Sequence, residues 1–210
     1  DPLLNPAQPP GFAPLFLLRA AGYIARYGMP ALKDAVAGGQ YDFPAGLFWG
    51  GDQLEEGPQK LVEVLPEIVA GMDEITWIDL HTGLGPSGEA TYLVEAALDS
   101  PVYRSLAQRF GDRVQAWDQD GGVAYAIRGG FPAALARRLG DRLSMLTCEF
   151  GTTSSLAVLR ALVDANYRYH HGGDAARAKA AMRRAFYPDD LRWQQRVLSS
   201  ASTLIEAALA

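Results

Sequence analysis

Two side chains in this sequence stand where acid–base or metal chemistry is easily built. His81 closes the run Glu74 to His81 (EITWIDLH) ahead of Thr82-Gly83, and Glu149 nearly closes the run Leu143 to Phe150 (LSMLTCEF) ahead of Gly151. Imidazole is the commonest protein metal ligand and titrates near neutrality. A carboxylate beside a water can collect its proton while the oxygen attacks a carbonyl. Each residue also has a plain reading, as a hydrogen-bonded strand-end histidine and as an acceptor for loop amides. An unpaired carboxylate flanked by Cys148 and Phe150 is costly to bury, so Glu149 calls for a partner or a task. Asp79, two residues before His81, is either a group that orients the imidazole or a structural acceptor.

Other reactive residue types offer less. His170 and His171 are adjacent, and neighbouring helical residues point about 100° apart, so they do not chelate together as an i, i+4 pair does. They read as a solvated helix end. Cys148 is the only cysteine, which excludes an intrachain disulfide, a zinc finger and a cysteine cluster. As a nucleophile it would need an activating base, yet on a strand it faces away from Glu149. It reads as a small core residue. The glycine pairs at 50–51 and 129–130 lack the spacing of a phosphate-binding loop or a dinucleotide fingerprint.

The elements that must position His81 and Glu149 follow from local pattern. Both runs read as strands, rich in β-branched and aromatic residues and ending at glycine-containing turns, the first at Thr82 to Gly88. Ile75, Trp77, Asp79 and His81 share one face of their strand, and Leu143, Met145, Thr147 and Glu149 share one face of theirs. In an open α/β sheet, ligands bind beyond the carboxyl ends of strands, which is where both polar tips fall. Helical material is predicted over Phe12 to Ala37, in two segments broken near Gly28-Met29-Pro30, and over Pro58 to Val69, Val102 to Arg109 and Pro132 to Leu139. From Ser154 onward the pattern is helical, interrupted at Gly172-Gly173 and Pro188. Gln40 to Gly51 reads as a short extended segment with a tight loop, Val114 to Trp117 as a short strand, Asp118 to Gly122 as an acidic turn, and the stretch near Tyr125 as extended. Alternating strands and helices predict an α/β fold with a mostly parallel mixed sheet flanked by helices. No internal repeat is evident.

Composition sets the class. The 210 residues fit a single domain, 1–210, with a Pro-rich lead over residues 1–10, and apolar residues make up 49% against 20% charged. With Lys plus Arg at 19 and Asp plus Glu at 24, the formal net charge is −5 and no basic stripe stands ready for a phosphate backbone, so nucleic acid is not an expected partner. No apolar run reaches the roughly 20 residues that span a bilayer, and no signal-like N-terminus precedes the lead, so no membrane association and a cytoplasmic location are expected. The chain opens on Asp1 rather than Met, with Pro2, Pro6, Pro9 and Pro10 close behind, and reads as if begun mid-protein.

The segment Ile78 to Gly88, IDLHTGLGPSG, resembles a bacterial family of uncharacterised proteins within the zinc carboxypeptidase superfamily. Gly39-Gln40-Tyr41 and Pro44-Ala45-Gly46-Leu47-Phe48-Trp49-Gly50-Gly51 before it, and Arg128-Gly129-Gly130 and Thr147-Cys148-Glu149-Phe150-Gly151-Thr152 after it, follow in the family's order. The resemblance implies a zinc-carboxypeptidase-like fold, N-terminally incomplete here, and a zinc-dependent hydrolase of peptide or acylamino bonds. It makes His81 a zinc ligand and Glu149 the general base. It places Tyr125 where a substrate-capping tyrosine lies and offers Arg128 to a substrate carboxylate, which a planar guanidinium binds with both oxygens. The implied partner is a peptide or an N-acyl amino acid. The superfamily's upstream His-x-x-Glu is missing, since no histidine precedes His81. The chain therefore reads as a C-terminal portion, expected to be inactive by itself, or alternatively as a metal-free binding or structural protein, or an aspartoacylase-like deacylase.

Overall fold

The computed structural model describes residues 3–11, 13–116 and 130–210. Among them run α1 (Ala13–Ala37), α2 (Glu56–Ile68), β1 (Ile75–Gly83), β2 (Ala90–Val94), α3 (Pro101–Phe110), β3 (Val114–Ala116), α4 (Phe131–Leu139), β4 (Leu143–Gly151), α5 (Ser155–His171), α6 (Ala175–Phe186) and α7 (Leu191–Leu209). The strands form one mixed sheet in the order β1-β4-β2-β3. β2 and β3 are parallel, with Tyr92 opposite Val114 and Val94 opposite Ala116. The expected α/β architecture with a mixed sheet and flanking helices is present.

Helix ends and breaks are set by small and polar residues. Gly28 interrupts α1 with φ 84°, two residues before Pro30. Ser100, Ser154 and Asp174 cap α3, α5 and α6 by accepting from the backbone N–H three residues on, which satisfies an amide that the helix cannot. The linker following α3 is the same as that following α4. Gly111-Asp112-Arg113 and Gly140-Asp141-Arg142 each form one 3-10 turn and lead straight into β3 and β4. Their glycines share one backbone conformation, φ 78° and ψ −162° at Gly111 and φ 67° and ψ −153° at Gly140. This short recurrence, and β2 itself, are absent from the sequence reading. Ala90–Val94 alternates buried and half-buried positions over only five residues, directly after a Gly/Pro loop, too short a signal to stand alone.

The chain divides into two compact units. The first comprises Asp1–Gly50, Thr82–Glu89 and Phe150–Leu198, and the second Gly51–His81, Ala90–Glu149 and Ser199–Ala210. The first is centred on Leu3, Leu4, Phe16, Ala20, Leu47, Leu159 and Val163, which join the Pro-rich lead to α1 and α5. Its loop at 40–50 is shaped by polar plugs. Gln40 binds Phe43 through both ends of its amide, Asn5 Oδ1 accepts from Leu47 N–H, and Asn166 Nδ2 donates to Ala45 O. In the second unit the buried residues include Tyr92, Val94, Val114, Ala116, Leu146 and Cys148 of the strands, Leu106 and Phe110 of α3, Leu135 and Leu139 of α4, and Leu204 of α7. Tyr92 meets Phe110 edge-on at 6.5 Å, and Tyr103 Oη donates to Val114 O at 3.3 Å.

Candidate functional site

β1 and β4 are neighbours in the sheet, and His81 and Glu149 each stand two residues before their strand's last glycine. Adjacent strands and equivalent positions bring the two side chains together in the second unit. His81 Nδ1 lies 3.9 Å from Glu149 Oε2, and His81 Nε2 lies 2.9 Å from Asp79 Oδ2. Asp79 reaches the ring because alternation puts residues i and i+2 on one face. Nε2 is at hydrogen-bond distance from the Asp79 carboxylate, which can accept its proton, and the Nδ1 edge turns toward Glu149. The 3.9 Å gap exceeds a direct hydrogen bond. The His81 side chain is 52% exposed and that of Glu149 only 7%, so the imidazole is reached from solvent while the carboxylate is sheltered.

Whether a metal fits can be judged from the donors present. Among the described residues no group of three or more His, Cys, Asp or Glu side chains is arranged to hold a metal ion. A catalytic zinc normally takes three protein ligands plus a water. His81 Nδ1 is suited to be one of them, with Asp79 behind it in the manner of a carboxylate–histidine pair, but one nitrogen does not hold the ion. Tyr125 and Arg128 lie outside the described residues.

The neighbouring residues of the two motifs have a structural task. In the first unit, Gly88 N–H donates to Gly151 O at 2.8 Å, Gly151 N–H donates to Glu89 O at 3.0 Å, and Thr152 Oγ1 donates to Gly83 O at 3.2 Å. A Cβ on Gly151 would meet Pro86 O at 2.0 Å and Gly85 O at 2.4 Å. Gly151 is therefore needed where the loop after β1 is stitched to the end of β4. Trp193, not singled out in the sequence, is buried and donates Nε1–H to Gly151 O at 2.8 Å. Its aromatic type was the sole available signal, since a buried indole needs an acceptor.

Cys148 is completely buried, and burial pushes its thiol up to about 12, with the Glu149 charge adding to the rise and Arg113 opposing it. A thiol so raised is not a thiolate nucleophile near neutral pH. His170 and His171 are exposed at the end of α5, their rings 6.5 Å apart and each packed on a tyrosine, Tyr169 at 4.9 Å and Tyr167 at 4.7 Å.

The family model described as protein of unknown function, DUF2817, matches residues 1–200. The chain belongs to the DUF2817 family. No curated protein and no solved structure matches it. In this DUF2817 chain, no helix among the described residues is long and apolar enough to cross a membrane.

Proposed function

We propose that this DUF2817 chain supplies the proton-accepting carboxylate and one metal-facing histidine of a hydrolytic centre for peptide or N-acyl amino acid bonds, like that of the zinc carboxypeptidases. One observation carries the reading: a sheltered carboxylate, Glu149, faces the Nδ1 edge of an imidazole whose Nε2 is held 2.9 Å from Asp79. The ordered resemblance of the flanking motifs supports it.

In this reading Asp79 fixes the ring orientation and tautomer, which leaves Nδ1 as a donor atom. Glu149 accepts a proton from a water as its oxygen adds to the carbonyl carbon, then returns that proton to the departing nitrogen. Water and the acylamino bond are consumed, and a carboxylic acid and an amine are released. Zinc, when bound, would acidify the water toward ~7 and polarise the carbonyl. Its remaining ligands would have to come from outside the described residues. Tyr125 and Arg128 keep the substrate-binding roles that the resemblance implies.

The test uses the natural polypeptide, loaded with zinc and assayed against short peptides and N-acyl amino acids, with metal content read in parallel. Glu149→Gln is expected to lower kcat by on the order of 10²- to 10⁴-fold with bound zinc unchanged. His81→Ala is expected to lower the zinc content itself. Turnover limited to N-acyl amino acids selects the deacylase variant. Wild-type turnover by Glu149→Gln sinks the reading, and a protein that neither holds zinc nor hydrolyses either substrate class is the metal-free binding protein instead.

A further inference from the structure

Residues 52–74 carry Asp52, Glu55, Glu56, Glu63, Glu67, Asp73 and Glu74 against Lys60 alone, in a 210-residue chain whose formal net charge is −5. The excess negative charge is thus concentrated on α2 and its flanks, and the rest of the chain is close to neutral. The same helix has an apolar arc wider than the described residues of its own unit cover. α2 lies against α4, with Val62 and Leu65 half-buried and Val69, just past its end, buried. Leu61, Val64 and Ile68, at i, i+3 and i+7, stay 43%, 47% and 63% exposed. At 100° per residue these three side chains fall within about 60° of arc. Glu56, Glu63 and Glu67 form a ridge along the outer side of that row, with Lys60 paired to Glu56.

We infer that the outer face of α2 docks a basic amphipathic helix of another protein, its apolar residues laid on Leu61, Val64 and Ile68 and its Lys or Arg side chains set against Glu63 and Glu67. An amphipathic helix ordinarily buries its whole apolar stripe, and an exposed apolar row edged by charge marks an interaction surface. Charge decides the occupant. A second copy would bring acidic ridge to acidic ridge, and an anionic bilayer would be repelled, whereas a basic edge is matched. Helix-on-groove recognition reads anchors at this spacing.

The experiment follows the fluorescence anisotropy of a labelled Leu/Lys peptide with helical periodicity, beside a scrambled peptide of the same composition and a Leu/Glu counterpart. Wild-type chain is expected to bind the Leu/Lys helix saturably, and more weakly as salt rises. Leu61→Ser with Ile68→Ser, or Glu63→Lys with Glu67→Lys, should each weaken binding by about tenfold or more, as loss of interface anchors does. These positions are exposed, and unchanged circular dichroism and melting confirm that the variants fold. The charge-reversed variant should gain affinity for the Leu/Glu peptide. Equal binding of the scrambled peptide, or wild-type affinity in the serine variant, overturns the proposal. So does a dimer in sedimentation that the serine variant dissolves, which assigns the face to a second copy, or equal uptake onto anionic vesicles.

Discussion

Cys148 and Glu149 are sequence neighbours with opposite fates because a strand sends successive side chains to opposite faces. Glu149 turns to His81, while Cys148 turns into the core and keeps its proton. That difference has a pH signature. The thiol's pKa rises from 9.0 to about 12 on folding, so across that window the folded chain holds a proton that the unfolded chain releases. The stabilisation is fully present below pH 9 and is lost as pH rises toward 12, with a slope of about 1.4 kcal/mol per pH unit inside the window. Urea unfolding of wild type and Cys148→Ala at pH 8, 9 and 10 should show the wild type losing this increment and the variant not. Iodoacetamide should leave the folded thiol untouched and alkylate it in denaturant. Identical pH dependence of the two proteins would refute the assignment.

Two helix-to-strand passages in this chain use one solution. A helix ends, a glycine takes positive φ with ψ near −160°, a 3-10 turn carries Asp-Arg outward, and a strand begins. Nothing lies within 4 Å of a Cβ built on Gly111 or Gly140, so alanine there meets no steric barrier beyond the backbone itself. This corner of conformational space belongs almost wholly to glycine, and forcing another residue into it costs about 1–3 kcal/mol. Gly111→Ala and Gly140→Ala should therefore destabilise by similar amounts in that range, and the double variant by about their sum if the two turns act independently. Thermal melts decide this, and a cost near zero at either site would mean that the glycine is incidental. At this scale most of the fold was legible. Helical periodicity, Gly/Pro breaks and β-branched runs announced β1, β4, the kink in α1 and the helices after Ser154. β2 was hidden because a five-residue strand is defined by its neighbours β4 and β3 rather than by its own pattern.

For the molecule as a whole, the sequence pI is about 5.2 and the surplus acid sits beside the exposed row Leu61, Val64 and Ile68. Near pH 5.2 net repulsion vanishes while the apolar surface remains, and such chains associate. Solubility is expected to pass through a minimum there, and Leu61→Ser with Ile68→Ser should make that minimum shallower, as static light scattering across pH 4 to 8 would show. An unchanged minimum would place the sticky surface elsewhere. Of the candidate site, the residue types and their strand-end positions were legible in the sequence. The pairing of His81 with Asp79 follows from alternation within β1, whereas that with Glu149 required knowing that β1 and β4 are adjacent.

By itself the sequence determined the element types, the polar tips of two strands and the absence of cysteine cross-links, because periodicity, capping and residue chemistry act over a few neighbouring positions. Tertiary structure alone decided which strands are adjacent, and with that the 3.9 Å approach of His81 to Glu149. It also showed that Gly151 serves the close passage of its backbone past Gly85 and Pro86. Sheet order depends on burial summed over distant segments, and no local window of sequence contains that sum.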